Sequence, residues 1–155
     1  MRRKDREIVD PIEVRGIVSR CNVLHLGLVD GQMPYIVPMN FGAVWDGDSL
    51  TVYTHSAISG RKVDLILRQP AVFVQMDCDG EMIAGNAACE YGYRYGSFMG
   101  SGRAEIISDS DEACAGMAVL MRHQTGQDFA ILPRDIEQVA VIRITLTEWT
   151  AKACR

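Results

Sequence analysis

Two hairpin signals in quick succession constrain this chain most. Residues 21–29 form an apolar run that closes at Asp30-Gly31. In residues 34–45, Tyr35, Val37, Met39 and Phe41 alternate with Ile36, Pro38 and Asn40, and the run closes at Asp46-Gly47-Asp48. Residues 49–55 then set Leu50, Val52 and Thr54 against Thr51 and Tyr53. Turns this short leave no room for a crossover helix, so the three strands form an antiparallel meander and not a βαβ unit.

Around the meander, helices and strands announce themselves by their ends. Asp10-Pro11-Ile12-Glu13 places a carboxylate at the N-cap, proline at the first helical position and Glu at the third, predicting a helix to about Arg20. Residues 59–68 read as a short helix with Val63, Ile66 and Leu67 on one face, stopping before Gln69-Pro70. A strand follows at 71–77. Asp77-Cys78-Asp79-Gly80-Glu81 lacks the twelve-residue spacing of a calcium loop and reads as a turn. Residues 83–88 are loop or edge, and 90–107 a long strand bent at Gly96, Gly100 or Gly102. A third helix opens at Ser108-Asp109 with an apolar stripe of Ala113, Met117, Leu120 and Met121, and 137–149 is the last strand. Six or so mostly antiparallel strands with three helices predict a mainly β fold, a small closed or partly closed barrel.

The 155 residues fit one domain over 1–155, and an apolar fraction of 48% supplies a core without staples. A net charge of −4 and a pI of about 5.3 argue against nucleic-acid binding. The one dense cationic stretch, Arg2, Arg3, Lys4 and Arg6, is broken by Asp5 and Glu7 and reads as a solvated arm. Five cysteines with no C-x-x-C pair give neither a metal cluster nor a disulfide framework, so they read as reduced, packed thiols. No apolar run approaches the ~20 residues of a membrane span, and no signal-peptide core is present. The expectation is a cytoplasmic protein with no membrane and no metal partner.

Chemistry concentrates at His55-Ser56-Ala57-Ile58-Ser59-Gly60-Arg61-Lys62, where a strand ends and a helix begins. A helix start offers free N–H groups and a positive dipole end to a phosphate; Ser56 or Ser59 adds a hydroxyl, Gly60 close approach, Arg61 and Lys62 charge. Equally, Ser59 can simply cap the helix while the two cations face solvent. The Walker spacing is absent.

The string His-Ser-Ala-x-x-Gly-Arg-Lys, preceded by Pro34-Tyr35-Ile36-Val37-Pro38-Met39-Asn40-Phe41-Gly42, resembles the pyridoxamine 5′-phosphate oxidase-like superfamily, and within it the nitroimidazole-resistance flavoproteins. Residues 1–8, Tyr93-x-Tyr95-x-Ser97-x-x-Gly100-x-Gly102 and Leu120-Met121-Arg122-His123 are similar to that branch in the same order. Ser101 and Ala151 depart from it where an apolar or aromatic residue and a glycine are usual. The resemblance implies a six-stranded antiparallel split β-barrel of the FMN-binding type, a homodimer, and FMN in a cleft formed by both subunits. Carried over, Lys62 and Ser97 are phosphate contacts, with Gly60 and Arg61 beside them. His55, Ser56 and Ala57 lie along the flavin next to the backbone of Val37, Pro38, Met39 and Asn40, and Asn40 faces its pyrimidine edge. Trp149 either packs over the cofactor from the other subunit or is an ordinary core or subunit contact.

His55 is the candidate catalytic residue, a proton donor beside the flavin, with a purely structural pocket role as the alternative. His25, inside an apolar strand, and His123, near a helix end, read as structural; Cys89 reads as packed. The implied function is a flavin-dependent oxidoreductase, nitroreductase-like, acting on a small, nitroaromatic-type substrate. The alternatives are a flavin carrier or sensor, or a haem- or deazaflavin-binding barrel. A tail with only Lys152 and Arg155 lacks the arginine-rich signature of pyridoxamine phosphate oxidation.

Overall fold

The computed structural model of the chain describes residues 4–155. Arg2 and Arg3 of the expected arm lie outside the described residues. The rest of that arm is not free: Lys4–Arg6 form one 3-10 turn, and Glu7–Ile8 (β1) pairs with the far end of the last strand.

The capping chemistry sets two of the three helices. Asp10 caps α1 (Pro11–Arg20) by accepting the Ile12 N–H at 3.0 Å, while Glu13 pairs with Arg155 and not with the cap backbone. The second helix, α2 (Arg61–Arg68), stops ahead of Pro70. Asp109 caps α3 (Ser110–Thr125) through the Glu112 N–H at 2.8 Å, and α3 ends at left-handed Gly126.

Among the described residues there are eight strands where six or so were expected. The sequence run 34–45 is two strands: β3 (Met33–Asn40), hairpin partner of β2 (Val23–Asp30), and β4 (Gly42–Asp46), hairpin partner of β5 (Ser49–Ala57). Between them Phe41 is fully buried at a corner held from outside the run. Thr54 Oγ1 donates to the Asn40 carbonyl at 2.8 Å, and Gln124 Nε2 donates to the Phe41 carbonyl at 2.8 Å. The remaining strands, β6 (Ala71–Ile83), β7 (Gly92–Ile106) and β8 (Val139–Cys154), give the order β3-β2-β6-β7-β8-β5-β4, all antiparallel, with β1 on β8.

The expected turn at Asp77–Glu81 is a β-bulge. Asp79 takes φ 60°, the ladder skips, and pairing resumes at Glu81 with Arg94. Arg20 forks onto the Asp79 carboxylate, which holds that acid below the usual carboxylate range and raises the guanidinium.

Alternate residues of the strands point inward and close a core of Leu24, Leu26, Leu50, Val52, Val74, Met76, Phe98, Ile142 and Ile144. Val14, Ile17 and Val18 of α1 close one end, beside Cys21 and Cys78, whose thiols are pushed up chiefly by burial. Cys89, expected packed, is exposed. On the other side α3 crosses β4 and β5 at contact distance. A Cβ on Gly116 would sit 2.5 Å from the Tyr53 ring, and one on Gly42 would sit 2.5 Å from the Leu120 backbone. Among the described residues no helix is long and apolar enough to cross a membrane.

Candidate functional site

The barrel is split because β3 and β5 pass each other without forming a ladder. They touch at one end, where Thr54 bonds the Asn40 carbonyl, and beyond the other end of β5 the first residue of α2, Arg61, lies over Tyr35 of β3 with 4.5 Å from guanidinium carbon to ring centroid. Between these contacts β3 keeps an edge with no strand beside it. The sequence therefore brings three predicted pieces together in one chain. These are the strip Val37–Pro38–Met39–Asn40, the strand end His55–Ser56–Ala57, and the start of α2 at Gly60, Arg61 and Lys62.

Each piece has a distinct chemical state. Gly60 takes φ 136°, a backbone only glycine adopts readily, and nothing lies within 4 Å of where its Cβ would be. It occupies the N-cap position of α2, so Ser59 is not the cap, and no side chain satisfies the first N–H groups of the helix. Arg61 is engaged: Nε and Nη2 reach Asp30 Oδ2 at 2.8 and 2.7 Å, with Arg68 3.7 Å from the other carboxylate oxygen. Lys62 makes no ion pair or side-chain hydrogen bond with any described residue. The free cation at this helix start is thus Lys62, and Arg61 serves to pin α2 to the β2–β3 hairpin.

On β5, Thr54 and Ser56 point into the barrel and are buried, whereas His55 faces outward with Tyr53 toward the α3 side. Ser56 Oγ donates to the Ala57 carbonyl at 2.8 Å. His55 Nδ1 is buried and has no hydrogen-bond partner, and a buried orphan of this kind costs about 1–3 kcal/mol unless a ligand meets it. Asn40 spends its amide hydrogens on the Asn22 carbonyl and on Gln124 Oε1, both at 3.2 Å, leaving Oδ1 as the unused acceptor.

Two predicted residues lie elsewhere. Ser97 sits on β7 opposite Lys152, and His55 opposite Val141 of the same β8. Those β8 positions are eleven residues apart, so Ser97 and the strand end that leads into α2 lie toward opposite ends of β8 within one chain. Trp149 stacks on Phe98 with centroids 5.8 Å apart, meets Trp45 edge-on at 6.0 Å, and donates Nε1–H to the Asp48 carbonyl at 3.4 Å. Within this chain it is a packing residue. Asp30 and Tyr35, the partners of Arg61, were not among the predicted site residues. A carboxylate at a hairpin end and a ring five residues on carry no local mark of what they will meet.

A family model described as pyridoxamine 5′-phosphate oxidase matches residues 10–153. The chain belongs to that family. Among solved structures, a proposed 5-nitroimidazole antibiotic resistance protein from Bacteroides thetaiotaomicron superimposes with a TM-score of 0.80 at 28% identity, covering 95% of this chain and 86% of that one. The flavocytochrome Anf3 of Azotobacter vinelandii matches with a TM-score of 0.79 at 20% identity, over 100% of this chain and 72% of the other. An FAD- and haem-binding protein of Mycobacterium smegmatis matches with a TM-score of 0.79 at 15% identity, over 97% and 74%. The last two establish the shared fold alone. No curated protein matches the sequence. The family is thus the one the strings at 34–42 and 55–62 resemble, and the split-barrel class holds with eight strands.

Proposed function

We propose that this protein is an FMN-binding flavoprotein that works as a homodimer and reduces a small, nitroaromatic-type substrate. The observation that carries the cofactor is the uncapped start of α2 with an unpaired Lys62 beside it. A phosphate dianion satisfies both at once. The open backbone of β3, the free Asn40 Oδ1 and the orphaned His55 Nδ1 are the hydrogen-bonding groups the ring system of a flavin would need. These residues fit the group.

When bound, the flavin supplies hydride chemistry. The chain's own work is to anchor and shape. Lys62 and the α2 N–H groups hold the phosphate, and Gly60 leaves the backbone approachable. Arg61, through Asp30 and Tyr35, fixes the distance between α2 and β3. His55 holds or moves a proton at Nδ1 next to the substrate side of the site. The substrate class is taken from the resistance protein of Bacteroides thetaiotaomicron, at 28% identity.

The homodimer rests on Ser97. If Ser97 contacts the phosphate, it is Ser97 of the partner subunit, since its own chain holds it toward the opposite end of β8 from the strand end that leads into α2. Light scattering tests this directly: a monomer removes half of the proposed cleft. The decisive test is the visible spectrum of the purified protein before and after adding FMN, followed by desalting. Flavin bands that stay with the protein support the reading. A protein that ignores FMN but takes up haem or a deazaflavin overturns it. Retained flavin with no turnover of nitroaromatics by any reduced nicotinamide points to a carrier or sensor.

A further inference from the structure

A phosphate monoester carries about −1.5 to −2 charges at neutral pH. At the start of α2 it meets one free cation. Arg61 is committed to Asp30 and Tyr35, so Lys62 answers one charge and the first N–H groups of the helix answer roughly half of another. Part of the dianion is left for a group outside these elements. On the flavin reading, the other residue that reaches the phosphate is Ser97 of the partner subunit, a neutral hydroxyl.

That hydroxyl does not stand alone on its face of the sheet. Gly96 and Phe98 are buried, so Ser97 points out of the barrel; Ala151 is buried, so Lys152 points out as well. The two residues are paired across β7 and β8, which puts their Cβ atoms roughly 5 Å apart. The full row runs Asp77, Ser97, Lys152, Glu7 across β6, β7, β8 and β1. Asp77 accepts from the Gln75 amide of its own strand at 2.8 Å, and Glu7 makes no ion pair with Lys152. Neither the Ser97 hydroxyl nor the Lys152 ammonium has a side-chain partner among the described residues. Lys152 is nonetheless half-buried already in the single chain. A charge drawn further from water at a subunit contact needs a counter-ion, and an anion seated on Ser97 supplies one.

We propose that the partner subunit's Lys152 is the second cation of the phosphate site. Each phosphate is then held by Lys62 and the α2 N–H groups of one protomer, and by a hydroxyl and an ammonium arriving side by side from the other. The proposal rests on the flavin reading and adds to it a residue that reading leaves out. It also makes the site incomplete in either protomer alone, so that binding the phosphate and holding the two subunits together reinforce one another.

The test titrates FMN and riboflavin, which has the same ring and side chain without the phosphate, into the full chain by flavin fluorescence quenching. Lys152→Ala should weaken FMN by roughly 10- to 150-fold, the worth of one charge-assisted hydrogen bond, and leave riboflavin within about twofold. Lys152→Arg should restore FMN, and Lys152→Gln repeats the test if the alanine variant folds poorly. Mixed dimers then decide which subunit the lysine serves. A dimer of one Lys62→Ala chain and one Lys152→Ala chain, isolated by separate tags, has both lysines at one site and neither at the other, so it should bind one FMN as tightly as the unaltered protein. If Lys152 served its own protomer, every site would lack one lysine and no tight site would remain; that result overturns the proposal. So does an FMN affinity unchanged by Lys152→Ala, an equal loss for riboflavin, or a flavin-free Lys152→Ala protein that is monomeric by light scattering, which makes the lysine a subunit contact. An unaltered protein that ignores FMN refutes the flavin reading itself, an outcome visible before any variant is made.

Discussion

Arg61 and Lys62 are neighbours of the same charge, yet the structure assigns them different work, and the pair can be separated by measurement. Lys62→Ala removes a cation that is bound to nothing in the fold. Its loss should leave the stability of the flavin-free protein within about 0.5 kcal/mol of the original, as for a surface change that breaks no contact. It should weaken FMN by a charge-assisted hydrogen bond, about 1.5–3 kcal/mol, or roughly 10- to 150-fold in Kd. Arg61→Ala should do the reverse. Its ion pair with Asp30 is largely exposed on the arginine side, at 59%, and contributes at most about 1 kcal/mol. Its stacking over Tyr35 adds about 0.5–1 kcal/mol. The flavin-free protein should thus lose about 1–2 kcal/mol, with a smaller, indirect loss of FMN affinity as α2 loosens. Urea unfolding without flavin and FMN fluorescence quenching give the two numbers independently. If Lys62→Ala binds FMN as well as the original, or destabilises the flavin-free fold as much as Arg61→Ala does, the division of labour is wrong.

His55→Phe replaces a buried, unpartnered Nδ1 by carbon, so the flavin-free protein should be as stable or about 1 kcal/mol more stable by urea unfolding, while flavin affinity or turnover falls. Gly116→Ala drives a methyl into the Tyr53 ring and should cost about 1–3 kcal/mol in the same assay, partly recovered by adding Tyr53→Leu. Asp79 has its pKa depressed by Arg20, so its contribution to stability is full above the unfolded-state pKa of about 4 and is lost as pH falls through the lower folded value. Asp79→Asn keeps the left-handed preference and removes the charge. It should cost no more than about 1 kcal/mol at pH 7, both groups being more than a third exposed, and the difference should vanish in unfolding experiments near pH 2.

What the sequence disclosed and what it withheld divide by range. Asp10-Pro11, Asp109 and the Pro70 stop are local: the first two helices begin and end, and the third begins, within a residue or two of where those residues put them. The corner at Phe41 was passed over although Asn40 and Gly42 flank it, because the alternation on either side reads as one continuous strand. It is made by Thr54 and Gln124, fourteen and eighty-three residues away in sequence. The run around Asp79-Gly80 misled because a bulge and a hairpin turn both favour such residues, and only the partner strand decides between them. At the site, the strand end followed at once by a helix start was legible locally, while the part given to Lys62 came from the family resemblance. That Arg61 is already spoken for was not legible, since its partner Asp30 sits on another hairpin.

The open edge of β3 is also a hazard, because an unpaired strand is a template for another chain. Pro34 and Pro38 stand opposite Val29 and His25, and having no N–H they can only occupy positions that turn their backbone away from β2. The even-numbered residues 34, 36, 38 and 40 therefore present their backbone to the gap, as the Asn40 carbonyl does in accepting from Thr54. At two of those four positions there is no hydrogen to give. A foreign strand would find an irregular row of carbonyls with its donors missing, whereas a small molecule that brings its own N–H groups would find acceptors waiting. The two prolines let the barrel stay open to a ligand while closing it to aggregation.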